Sequence, residues 1–296
     1  MIRELLIFGD SLSDGGNARA RLGDRAFPCP PHWADRRCDG PLWVDHLAAR
    51  LALPTPTPST AGGHNHAHGG ARSGWGASPK GMPNLLRQVA GVLESRGEDW
   101  LGRSVDREED GLADSGLEHP PTLVVLRAGA NDYLDAPLSP AIGDAVNQHL
   151  LTAVEALADQ GLRHFLVPNE LPWGLSPIAL PGLGEPQRRE LNRLIQRQND
   201  ALRRGLEELA ARREVVVLQP DVHGLVREVH AAPEAWGFRD VGQPALESGV
   251  LNAHGFLWWD AWGHLTSAFH RLMAERAVGE IRNTLSSRGH KGYAAI

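Results

Sequence analysis

Four short stretches carry side chains that could do acyl chemistry if they met. "FGDSLSDGGN" (8–17) places Ser11 at the end of the first apolar run, between Asp10 and Asp14, with Gly15 and Gly16 following. "NHAHGGARSG" (65–74) pairs Gly69 with Gly70, and glycines let backbone N–H groups approach a ligand closely. "RAGANDYLD" (127–135) sets Asn131 and Asp132 just past another apolar run, and "LWWDAWGHLTSAFH" (257–270) sets Asp260 near His264. A hydroxyl nucleophile, amide donors for an oxyanion, an imidazole base and a carboxylate to orient it are the parts for acyl transfer through a serine ester.

Those stretches need a scaffold that gathers them at one edge. Apolar runs at 4–8, 121–129, 163–170 and 213–220 are short and nearly continuous, as strands buried on both faces are. Helical patterns lie between them. "PLWVDHLAARL" (41–51) has Pro41 at its first position, and 139–161 runs from Ser139 as a cap to Gly161 as a stop. The longest, 184–213, keeps Leu191, Leu194, Ile195, Leu202, Leu206 and Leu209 at helical spacing; its arginines read as a solvated face, with a basic docking surface as the sharper alternative. "GHLTSAFHRLMAERA" (263–277) also reads as helical, so His264 alone could be a helix cap. Strands alternating with helices imply a mainly parallel sheet covered on both sides, and ligands bind such sheets at the carboxyl ends of their strands. One domain over 1–296 is expected, with surface insertions near 53–81 and 97–118.

The net charge of −6 gives no support to nucleic-acid binding, and no apolar run reaches the roughly 18 residues of a membrane span. There is no Gly-x-Ser-x-Gly elbow, no phosphate-binding Gly-x4-Gly-Lys-Ser/Thr loop and no His-Glu-x-x-His zinc pair. The first residues carry no secretory leader, which leads to the expectation of a cytoplasmic protein, or a secreted or periplasmic one if the chain is a mature form. Cys29 and Cys38 are close enough in sequence for a small-loop disulfide, and two free thiols fit equally well. His64, His66 and His68 alternate and would share one face of a strand, but no further ligand lies nearby, so exposed imidazoles are expected rather than a metal site. Trp258, Trp259 and Trp262 are either pocket walls or packing.

The four blocks, in this order, resemble the GDSL esterases and lipases of the SGNH hydrolase superfamily, including the branch with phospholipase-like, haemolysin-like and plant enzymes. "CDGPLWVDHLA" and "EAWGFRDVG" extend the likeness over about 5–284. The resemblance implies a three-layer α/β/α sandwich with a flavodoxin-like sheet, no cofactor and no metal. It implies a small-molecule ester or lipid as substrate. Ser11 would be the nucleophile, His264 the general base and Asp260 its orienting carboxylate; Ser11, Gly70 and Asn131 would form the oxyanion hole. Hydrolysis of lipid or short acyl esters through an acyl-serine is the leading expectation. Transfer to an alcohol and deacetylation of carbohydrate use the same intermediate, and an inactive ligand-binding homologue is the contrasting reading. One departure stands out. The family places Asp and His three apart, followed by Pro-Thr, whereas "DAWGHLT" places Asp260 and His264 four apart and follows them with Leu-Thr.

Overall fold

The computed structural model describes residues 2–94, 121–134, 137–179, 182–250 and 252–287. The expected insertion at 97–118 lies outside the described residues. Four parallel strands, β1 (Glu4–Gly9), β2 (Thr122–Arg127), β3 (His164–Leu166) and β4 (Val216–Leu218), lie side by side in chain order. Leu5 pairs with Leu123 and Ile7 with Val125, so the register carries β1 and β2 to a common carboxyl edge.

Alternation along each strand sorts the core into two layers, because successive side chains point to opposite faces. Ile7, Leu123, Val125 and Leu218 pack with α2 (Trp43–Arg50), α6 (Val222–Ala231) and α7 (Ser267–Ser287). Leu6, Phe8, Val124 and Leu126 pack on the other side with α3 (Leu85–Glu94), α4 (Pro140–Asp159) and α5 (Glu185–Arg213). The architecture is therefore the expected α/β/α sandwich. α4 opens on Ser139, whose hydroxyl accepts from the Ala141 N–H. α5 buries all six apolar residues named from its spacing, while Arg189, Arg193 and Arg203 pair with acids on their own helix. Those pairs leave its outer face a solvated, charge-matched one.

The segment 53–81 differs from a surface insertion. Residues 64–68 run parallel along the outer edge of β1: the Ile7 N–H donates to His64 O at 2.9 Å, His66 N–H to Ile7 O at 2.7 Å and His68 N–H to Gly9 O at 3.0 Å. Asn65, Ala67, Ala71 and Ser73 are buried. This stretch lacks the β-branched and aromatic residues that mark strands, which hid its place in the sheet. His64 pairs with Glu4, His66 stacks on Phe8 with ring centroids 5.4 Å apart, and His68 donates from Nδ1 to the His66 carbonyl. A second small sheet, β5 (Asp240–Pro244) with β6 (Phe256–Trp258), stands beyond β4 in the chain. Cys29 and Cys38 are both free thiols.

Candidate active site

Ser11 follows β1 at the carboxyl edge of the sheet, in a turn held from inside by Asp14. The buried Asp14 carboxylate accepts from the N–H groups of Gly16, Asn17 and Ala18 and, across 55 residues of chain, from Gly69 at 2.7 Å. Burial raises its pKa, and the four N–H donors act in the opposite direction. Asn17 completes the junction. Its amide donates to Asn65 O and Ala67 O while its oxygen accepts from Ser59 and Thr60. Asp14 and Asn17 thus fix the Gly69–Gly70 loop against the serine turn, so closely that a Cβ on Gly69 would lie 3.8 Å from the Ser11 Cβ. Gly70 has φ +82°, a conformation that side chains disfavour. The N–H groups of Ser11 and Gly70 meet no acceptor among the described residues.

Asn131 lies in a short 3₁₀ turn (Ala130–Asp132) just after β2 and lines the same cavity as Ser11 and Gly70. One of its two amide N–H groups donates to Ala71 O at 2.9 Å, which orients the side chain against the glycine loop. Its neighbour Asp132 accepts from the Ser73 N–H and hydroxyl, tying the two loops together again.

His264 and Asp260 sit in the turn that leaves β6. His264 Nδ1 donates to Asp260 Oδ1 at 2.8 Å, and Nε2 lies 2.9 Å from the Ser11 Oγ. With Nδ1 protonated, Nε2 is the acceptor of the serine proton. The four-residue spacing does not separate the pair. Gly263, at φ +84°, donates back to Asp260 O at 3.0 Å, and Asp260 Oδ1 also accepts the Trp262 and His264 N–H groups. The extra residue is absorbed in a turn that curls around the carboxylate.

Three features were not read from the sequence. Arg37 donates from Nε to Asp260 Oδ2 at 3.0 Å and stacks over the Trp262 ring. Burial pushes the Asp260 carboxyl up, yet the charge and hydrogen bond of His264, with the charge of Arg37, hold it well below the usual carboxylate range. Beneath the serine, buried Arg127 bridges Asp10 at 2.6 Å and Glu170 at 2.8 Å, and Glu170 in turn accepts from Trp173 Nε1. Trp173 lines the cavity together with Trp262, whereas Trp258 and Trp259 are packed in the core. An indole with both neighbours apolar gives no sign of which way it faces.

Ser11 and His264 open into a cavity of about 950 Å³. Leu22, Phe27, Leu138, Ile178, Leu183 and Leu191 are among the residues that line it. A hydroxyl facing an imidazole whose far nitrogen is held by a carboxylate can be deprotonated as it attacks, and the free N–H donors beside it can hold an oxyanion.

The model of the GDSL-like lipase/acylhydrolase family matches residues 5–277. The chain belongs to this family. It is a carboxylic ester hydrolase by that membership. A GDSL esterase/lipase of Arabidopsis thaliana is 24% identical over 92% of this chain and 84% of its own length. The phosphatidylcholine-sterol acyltransferase of Aeromonas hydrophila is 28% identical over 52% of this chain and 42% of its own. Among solved structures, a variant of an acetyl xylan esterase from Geobacillus stearothermophilus aligns over 95% of this chain and 96% of its own, with 16% identity and a TM-score of 0.45.

Proposed function

We propose that this GDSL hydrolase cleaves esters of medium to long acyl chains, in the manner of a lipase, through an acyl-Ser11 intermediate. Ser11 Oγ attacks the ester carbonyl while His264 Nε2 takes its proton; Asp260 holds the imidazole tautomer and stabilises the imidazolium. The oxyanion receives the N–H groups of Ser11 and Gly70 and the amide of Asn131. His264 then protonates the departing alcohol, and water enters by the reverse of the same steps.

The observation that carries this reading is the hydrogen-bonded line Ser11–His264–Asp260 at the floor of an apolar cavity. A volume of about 950 Å³ lined by leucine, isoleucine and phenylalanine is far more than an acetyl group fills, which favours a lipid acyl chain over carbohydrate deacetylation. Transfer to an alcohol is the second reading, supported by the likeness of 52% of this chain to the Aeromonas phosphatidylcholine-sterol acyltransferase.

Hydrolysis of p-nitrophenyl esters across acyl lengths tests the proposal. The rate should rise from acetate toward longer chains, Ser11→Ala should abolish it, and a fluorophosphonate should label the wild type alone. A wild type inert on every ester and unlabelled would remove the acyl-serine mechanism. Product analysis with added alcohol separates transferase from hydrolase.

A further inference from the structure

Among the described residues, four large apolar side chains are exposed: Trp33 (41%), Trp75 (63%), Leu134 (48%) and Trp262 (60%). Scattered singly over a surface they would need no account. They are not scattered. Leu134 and Trp262 line the cavity, Trp33 lies in the loop between the lining residues Phe27 and Arg37, and Trp75 lies in the loop between the lining residues Arg72 and Ser78. Two of the four thus line the cavity and the other two lie within four residues of segments that do, on loops from four separate parts of the chain.

The chain carries −6 overall, yet Arg37, Arg72 and Lys80 match Asp10, Asp14 and Glu190 in the cavity lining, and of these Lys80 is exposed while Asp10 and Asp14 belong to the buried serine turn. Asp35, beside Trp33, faces Arg19 at 3.5 Å. The loop "WGASPKG" (75–81) shows the pattern most compactly, with Trp75, Pro79 and Lys80 all exposed. Indole rings seat at headgroup depth, with an apolar body and a polar N–H, and cations beside them favour anionic headgroups.

We propose that these residues form an interfacial docking face, which seats the cavity mouth on the surface of an anionic phospholipid bilayer. The proposal rests on the acyl-ester reading above: an acyl chain could then pass from the bilayer into the apolar cavity without crossing water. Trp75 and Trp33 supply the insertion, and Lys80 the charge attraction. Neither Trp33 nor Trp75 lines the cavity, so docking and chemistry are separable by substitution.

The experiment uses vesicles of phosphatidylcholine with about one phosphatidylglycerol in four lipids. The Ser11→Ala protein, unable to consume the vesicle, should co-sediment with it and shift its tryptophan emission to the blue. On that background Trp33→Ser with Trp75→Ser should weaken binding tenfold or more, and Lys80→Ala about fivefold, the equivalent of ~1 kcal/mol per cation near a charged surface. With Ser11 intact, the double tryptophan variant should hydrolyse soluble p-nitrophenyl butyrate at the wild-type rate, keep the wild-type Tm and lose activity on vesicle lipid. A protein that hydrolyses the soluble ester but stays in the supernatant, or a double variant that binds as the parent does, overturns the docking face and leaves the esterase reading standing. Loss of soluble-ester hydrolysis in the wild type would instead strike the esterase reading itself.

Discussion

Arg37 Nε sits 3.0 Å from Asp260 Oδ2, across 223 residues of sequence, on the carboxylate whose other oxygen holds His264 Nδ1. The line from serine to histidine to aspartate thus continues to a partly exposed guanidinium at the cavity. The charge of Arg37 helps to hold the Asp260 carboxyl low. His32 and buried His270 are the other titratable groups near the pair, and burial pushes both down, so neither competes as a cation near neutral pH.

Arg37→Met should lower kcat on a soluble ester by about tenfold, because the Asp260 carboxylate loses a partner that fixes its position beside His264. Arg37→Lys should restore part of the rate. Rescue by lysine is the readout, since a loss of packing alone would not be restored by a cation of different shape.

Gly263→Ala tests the turn that reconciles the four-residue spacing. At φ +84° a side chain is strained, and its Cβ would lie 3.1 Å from Trp173 Cζ3 and 3.3 Å from Ile178 Cγ2. We expect a stability loss of about 1–2 kcal/mol by denaturant titration. A displaced imidazole should also lower kcat by about 10–100-fold on a soluble ester. Unchanged kcat would show that the pair does not depend on this turn.

Asn131→Ala removes one donor from the proposed oxyanion site without touching Ser11 or His264. Turnover should fall about 10²–10³-fold with little change in KM, because the lost bond matters most in the transition state. Labelling by a fluorophosphonate should be slowed but not abolished, and equal labelling rates would place the amide outside the chemistry.

Arg127→Met would leave Asp10 and Glu170 facing each other in the interior without their shared cation. Burial already raises the Glu170 pKa, against the pull of Arg127. The expected loss is about 3–5 kcal/mol, and Arg127→Lys should recover little because an ammonium cannot fork between two carboxylates as the guanidinium does. Chemical denaturation monitored by tryptophan fluorescence measures both.

His66 and His68 have pKa values pushed down to about 4, chiefly by burial against the edge of β1. Between the ordinary histidine pKa of about 6.5 and that value the unfolded chain binds protons that the folded chain refuses, so these groups make stability fall as pH is lowered through this window. Asp14, Asp132 and Glu170 have raised values and act in the opposite direction, which masks the effect in the wild type alone. The Tm of the wild type minus that of His66→Gln/His68→Gln should therefore decrease from pH 7 to pH 4. A constant difference would mean that both imidazoles protonate alike in the two states.

The residues that meet at the cavity were legible because each is announced by its immediate neighbours. A serine between acids after an apolar run, paired glycines, Asn-Asp after a second run and Asp near His late in the chain are local patterns, and the apolar runs said that the sheet's edge would gather them. Arg37 was not legible. It stands in "ADRRCDG" beside Arg36, which turns inward to make a two-pronged pair with Asp45 at 2.6 and 2.9 Å, and nothing in the neighbouring letters distinguishes the two. The polar run at 64–68 concealed a sheet edge, and the tryptophans at 258, 259 and 262 divided between core and cavity by the turn after β6.

Sequence alone determined the fold class, the family and the candidate groups for the chemistry, because periodicity and short motifs depend on neighbours within a few residues. Tertiary structure decided whether Asp260 reaches His264, which arginine joins them, what lines the cavity and which indoles are exposed. Each of those is a meeting of segments far apart in the chain, set by strand register and loop closure, which no local pattern encodes.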